Sequence, residues 1–312
     1  MAKFRSSFLN KKYQLLEKII RTRASFLHDT RRVELDEMAS GEQELNLGAL
    51  SGAVSNLAFW YHNEALLAGL NDEYSIARSK FEQSASLLLF VLPLERFAKR
   101  PNGIVAISDV FPLFISHLIC IGLDKYAAQI LTEGLLARAQ ALPFPCLHPG
   151  GRGPRFLPLQ LELWKHWSEA RFEITNQVEP PSANFELIRV PQCYLNLLDS
   201  CFDANEAAIR ADLIDAQSLH IAESRESTDR VTYDFDSPSF SLYPAELYLA
   251  LELRRRSGFR MPLDLPELLT SMNFEQLRGA TMKPDPAVYE LNRRLIGKHP
   301  SFPDLFSTQT IL

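Results

Sequence analysis

One phrase occurs twice in this chain, and it restricts the fold more than any other feature. Ala65-Leu66-Leu67-Ala68-Gly69-Leu70-Asn71-Asp72-Glu73-Tyr74 is echoed by Leu118-Ile119-Cys120-Ile121-Gly122-Leu123-Asp124-Lys125-Tyr126. Each copy ends an apolar helix, turns at Gly-Leu-(x)-Asp and opens another helix with Tyr on its inner face. The two glycines lie 53 residues apart, and the first turn carries one extra residue. Such an echo is how stacked helical hairpins are written, each hairpin burying its apolar face on the next. Little in the chain alternates with period two, so a sizeable sheet is not expected. The fold class read from the sequence is all-α: stacked antiparallel hairpins, solenoid-like.

Apolar residues at helical spacing place helices near 10–38, 47–69, 73–92 (reaching 97 if Pro93 only kinks it), 107–121 and 124–141. Beyond residue 150 they fall near 157–172, 191–202, 205–223, 244–256, 267–271 and 286–296. Residues 230–243 read as irregular, with a short extended piece at Val231-Thr232-Tyr233. Four prolines and three glycines in 143–154 cannot be helical. That stretch marks the expected division: a helical domain over 1–142, a Pro/Gly linker or loop over 143–155, and a second helical domain over 156–312.

Charge narrows the function classes. Hydrophobic residues make up 46% of the chain and charged ones 23%, as in a globular protein with a substantial core. The net charge of −5 argues against a general nucleic-acid binder. It is unevenly spread. Residues 1–32 hold nine Lys/Arg against Glu17 and Asp29, whereas residues 199–236 hold ten Asp/Glu against Arg210, Arg225 and Arg230. Lys11 and Lys12 interrupt the N-terminus before a signal-peptide core develops. The apolar stretch 86–94 is too short to span a membrane, and 104–123 carries Asp109, Pro112 and His117. Four cysteines without CxxC spacing suit free thiols. The expectation is a cytoplasmic protein.

Catalytic signatures are weak. Glu162 and His166 stand one helical turn apart between Trp164 and Trp167, and could hold a metal or trade a proton, but no HExxH partner follows. Gly150-Gly151-Arg152-Gly153 is basic and glycine-rich, yet lacks the Gly-Lys-Ser/Thr of a phosphate loop. Tyr61, His62 and Glu64 follow Trp60 on one helix. Cys146 and His148 share the Pro/Gly loop. No Gly-x-Ser-x-Gly elbow is present. The strongest site candidate is the acidic run. Glu223, Glu226, Asp229, Asp234 and Asp236 interleave with Tyr233 and Phe235, followed by Phe240 and Tyr243. Acid around aromatics is the pattern of a charged rim around apolar anchors, suited to a basic protein partner.

The stretch Phe240-Ser241-Leu242-Tyr243-Pro244-Ala245-Glu246-Leu247-Tyr248-Leu249-Ala250-Leu251-Glu252-Leu253-Arg254-Arg255-Arg256-Ser257-Gly258 resembles helical bacterial immunity proteins, the antidotes encoded beside polymorphic or type VI-secreted toxins. The nearest likeness is to the immunity protein 49 type and to the immunity proteins of PoNe nuclease toxins. The latter also carry a helix, a Gly-Leu-x-Asp turn and another helix, as at Ile121-Gly122-Leu123-Asp124. The Pro/Gly loop and the basic first helix have no counterpart in the resemblance. It implies a function without catalysis or cofactor: stoichiometric inhibition of one cognate toxin, a cytoplasm-acting nuclease, by an acidic surface that mimics nucleic-acid charge. The competing readings are a helical-repeat adaptor and a metal-assisted hydrolase using Glu162 and His166. Direct nucleic-acid binding and membrane insertion are not expected, and the oligomeric state is left open.

Overall fold

The computed structural model describes residues 4–97, 111–128, 155–169, 190–226, 234–235, 237–280 and 284–306. Among these residues every regular element is helical, and the all-α expectation holds. The helices are α1 (Ser7–Phe26), α2 (Val33–Ser40), α3 (Leu47–Leu70), α4 (Tyr74–Phe97), α5 (Phe111–Cys120), α6 (Leu157–Glu169), α7 (Gln192–Cys201), α8 (Glu206–Ala222), α9 (Pro238–Leu242), α10 (Ala245–Arg256), α11 (Glu267–Thr270) and α12 (Pro286–Lys298). Local chemistry starts several of them. The Asn46 side chain accepts the Gly48 and Ala49 N–H groups ahead of α3, and Asn205 does the same for Ala207 and Ala208 ahead of α8. Asp285 caps α12, with Pro286 at its first turn.

Two elements depart from the sequence reading, and of the two alternatives at Pro93 the longer helix is the one found. The first long helix contains a π-helical turn, Leu27–Arg32, between α1 and α2. Pro93 lies inside α4 rather than ending it. Residues 238–242 form the short helix α9, with Pro238 at its first position. The extended piece expected at 231–233, the linker at 143–154 and the helix beyond residue 128 lie outside the described residues.

The repeated turn is real, but its register is not the one the letters suggest. Gly69 sits inside α3. The left-handed residue that stops α3 is Asp72, at φ 63°, and its counterpart after α5 is Gly122, at φ 85°. The Glu73 N–H reaches the Ala68 carbonyl at 2.9 Å, closing a Schellman-type end. Nothing crowds a side chain at Gly122, so glycine is favoured there by backbone angle alone.

Two compact units emerge, each built from three chain segments. The first comprises Met1–Leu16, Asp109–Cys120 and Cys146–Phe274; the second comprises Glu17–Ser108, Ile121–Pro145 and Glu275–Leu312. The segments of the two units alternate along the chain. Within the first unit α5 packs on α10, and within the second α12 packs on α2 and α4, so packing joins segments far apart in sequence. The second unit centres on the α3–α4 hairpin, whose core includes Leu50, Val54, Leu57, Trp60, Phe81 and Phe90. The Arg294 guanidinium donates to the Met38 carbonyl, and Arg32 pairs with Asp285 at 2.6 Å. The first unit centres on α10, which contacts α5, α6, α7 and α8.

Candidate functional site

The helix that carries the family resemblance is the axle of the first unit. Every residue from Ala245 to Arg254 is buried, including Glu246, Glu252 and Arg254. A charge taken out of water must be paired or hydrogen-bonded, and these are. Glu246 Oε1 lies 2.8 Å from His220 Nδ1 on α8, both side chains being fully buried. His220 Nε2 donates to the Ser241 carbonyl at 3.2 Å, which fixes one ring proton. The remaining short contact needs one more proton, on His220 or on Glu246, and the pair is net neutral either way. Arg254 Nη1 donates to the Ser200, Cys201 and Asp203 carbonyls at the C-terminal end of α7, and its Nε donates to the Arg260 carbonyl. The guanidinium thus satisfies orphan carbonyls and faces the negative end of that helix. Tyr243 is buried against His117 and stacked on Tyr248; burial pushes its hydroxyl well above the usual tyrosine range.

The acidic and aromatic residues chosen from the sequence scatter between core and surface. Phe235 is fully buried, stacked on Phe156 at 5.0 Å and tilted against His220 at 3.9 Å. It is a core residue, not a surface anchor, because its ring packs between Phe156, just ahead of α6, and His220 on α8. Glu223 is also buried and pairs with Arg155 at 3.0 Å. Asp234 is half-buried and accepts the Arg155 backbone N–H at 2.8 Å. Burial raises its carboxyl to about 6, against the opposing pull of Arg155. Glu226 is exposed. Asp229, Tyr233 and Asp236 lie outside the described residues. Composition alone missed His220, Tyr194 and Arg155. The available signal was a charged residue, Glu246, inside the otherwise apolar run Ala245–Leu251, which demands a buried partner.

Among the described residues, most of the exposed carboxylates of the acidic run lie on the α7–α8 hairpin. Asp199, Asp203 and Asp215 are exposed and Glu206 and Asp212 half-exposed, with Arg210 as the hairpin's one Lys or Arg. Leu195, one turn from Asp199 on α7, is 40% exposed. Asp212 and Asp215 lie close enough to Cys193 to raise its thiol, although burial is the larger cause.

The other candidates resolve as follows. Glu162 and His166 are exposed on α6, with the His166 ring 4.1 Å from that of Phe202, while Trp164 and Trp167 are buried. Among the described residues no group of three His, Cys, Asp or Glu side chains could hold a metal. In the second unit His62 is buried with its ring edge-on to Phe81, and burial pulls it down to about 3. Glu64 pairs with Lys80 at 2.7 Å and lies 3.9 Å from His28 of the π turn. The Gly150–Gly153 stretch and the Cys146/His148 pair lie outside the described residues. No described helix is long and apolar enough to cross a membrane. Comparison with protein-family models, curated proteins and solved structures finds no match.

Proposed function

We propose that the chain is a stoichiometric protein antidote of the toxin-immunity kind. It acts in the cytoplasm, binds one cognate toxin, a nuclease with a basic substrate groove, and presents the acidic α7–α8 hairpin to that groove. The observation that carries this reading is the hairpin's surface, which carries exposed carboxylates at Asp199, Asp203 and Asp215 and the exposed Leu195, one turn from Asp199. Same-sign charge around an apolar contact speeds encounter with a basic partner and rejects acidic competitors. A second support is the place of the resembling segment. Tyr243, Glu246 and Arg254 are consumed by internal contacts, so that motif defines a scaffold and supplies no reacting group.

The test is co-purification of the tagged protein from its native cells, beside a variant carrying Asp199→Lys, Asp212→Lys and Asp215→Lys. The wild type should retain one partner with a nuclease domain. The variant should bind it with slower association and an altered salt slope. Unchanged affinity and an unchanged salt slope would remove the hairpin from the mechanism.

A further inference from the structure

We infer that Arg155-Phe156 and Asp234-Phe235 form a proton-sensitive clasp in the first unit, closed when Asp234 is protonated and loosened when it is ionised. The clasp joins the two short segments by a ring stack and a hydrogen bond, and ties both to Glu223 and one to Ser241. Phe156 and Phe235 are both fully buried and stacked with an interplanar angle of 21°. The Arg155 N–H donates to Asp234 Oδ2 at 2.8 Å, and the Arg155 guanidinium reaches Glu223 Oε2 at 3.0 Å. The Phe235 N–H donates to the Glu223 carbonyl, and the Ser241 hydroxyl donates to the Phe235 carbonyl at 2.8 Å. Behind Phe235 stands the His220–Glu246 pair.

Counting charge in this cluster singles out one group. Among the described residues, the charged and titratable groups that face Asp234 are Arg155 beside α6, Glu223 after α8, Glu246 on α10 with its partner His220 on α8, and Tyr194 on α7. His220 and Glu246 cancel. Arg155 and Glu223 cancel. Asp234 is the third carboxylate, and its direct hydrogen bond comes from a neutral backbone N–H. Tyr194, fully buried, holds its proton well above the usual range, through burial first and then the nearby Glu246 and Asp234. It therefore adds no positive charge. When Asp234 gains a proton, its remaining carbonyl oxygen still accepts the Arg155 N–H, so closure loses no bond and sheds an uncompensated charge.

Linkage fixes the sign. The carboxyl stands near 3.8 when free and at about 6 in the closed clasp. The closed form therefore holds a proton over a range in which the open form has lost it. Closure is firmest below 3.8 and weakens as pH rises through about 6. From those two values, the opening equilibrium should rise by up to about tenfold between roughly pH 5 and 7.5, less where water reaches the half-buried carboxyl.

Hydrogen–deuterium exchange of the full chain tests this, read in peptides spanning 156–163 and 237–243 and corrected for the pH dependence of intrinsic exchange. In the wild type, protection should fall from pH 5 to 7.5. Asp234→Asn should hold the protection of the acid form at both pH values. A flat wild-type profile, or the same pH dependence in the variant, would overturn the clasp. Asp234→Ser, which also removes the charge and keeps an acceptor, gives the same comparison if the asparagine variant does not fold.

Discussion

Arg254 is the most heavily used buried charge in the first unit, and replacing it with methionine gives a calculable loss. The methionine keeps much of the aliphatic stem and its place beside Phe259, whose ring lies 5.3 Å from the guanidinium carbon. Four hydrogen bonds disappear. Asp203 and Arg260 are exposed residues, so water can replace the donor at their carbonyls. The Cys201 carbonyl belongs to a buried residue and stays orphaned, at about 1–3 kcal/mol. The Ser200 carbonyl keeps the Asp203 N–H at 3.1 Å and loses one of its bonds, at about 1 kcal/mol. Loss of a cation at the end of α7 adds about 0.5–1 kcal/mol. Relief of guanidinium desolvation offsets part of this, leaving a net destabilisation of about 3 kcal/mol. At roughly 2–4 °C per kcal/mol for a domain of this size, the melting transition that contains α10 should fall by about 6–12 °C in scanning calorimetry. Arg254→Lys keeps the charge but cannot span both sets of carbonyls, and should lose about half as much. A methionine variant within about 0.5 kcal/mol of wild type would refute the reasoning, because that is the range of a neutral surface substitution.

Other outcomes follow from burial. Phe235→Ala should cost about 3–5 kcal/mol in urea unfolding, as for a buried ring, whereas a surface anchor would leave folding unchanged. Burial holds His62 at about 3, so the unfolded chain takes up a proton below about 6.5 that the folded second unit refuses. Stability is complete above that pH and falls with acid, by about 2 kcal/mol at roughly pH 5; His62→Gln should abolish this loss in urea titrations at the two pH values. Glu267→Gln should cost about 1 kcal/mol, because its carboxylate accepts the Arg5 and Ser6 N–H groups at 2.7 and 2.9 Å ahead of α1; calorimetry reads the difference.

Helices were legible where the signal is local. Asn46, Asn205 and Asp285-Pro286 announce α3, α8 and α12 through their own side chains, and apolar spacing sets the buried faces. The π turn was not legible, because its partners come from distant elements: His28 meets Trp60 and Tyr61, and Arg32 meets Asp285. The letters do not show where the first turn reverses, because Asp72 adopts the left-handed angle that glycine usually takes. In the acidic run, residue type could not separate Glu223 and Phe235, which go inside, from Asp199 and Asp215, which stay outside. What would have separated them is the face of α8. His220 follows Leu213 and Ala216 at helical spacing, so its surroundings belong to the core.

If the proposed antidote role holds, neutralisation is stoichiometric binding rather than catalysis, and titrating the activity of a co-purified nuclease with the purified protein distinguishes the two. The expected result is a sharp endpoint at about one equivalent, fast and reversible on dissociation, and unchanged by Glu162→Gln or His166→Ala. Progressive inactivation of the nuclease by a small fraction of an equivalent, lost in those two variants, would contradict it.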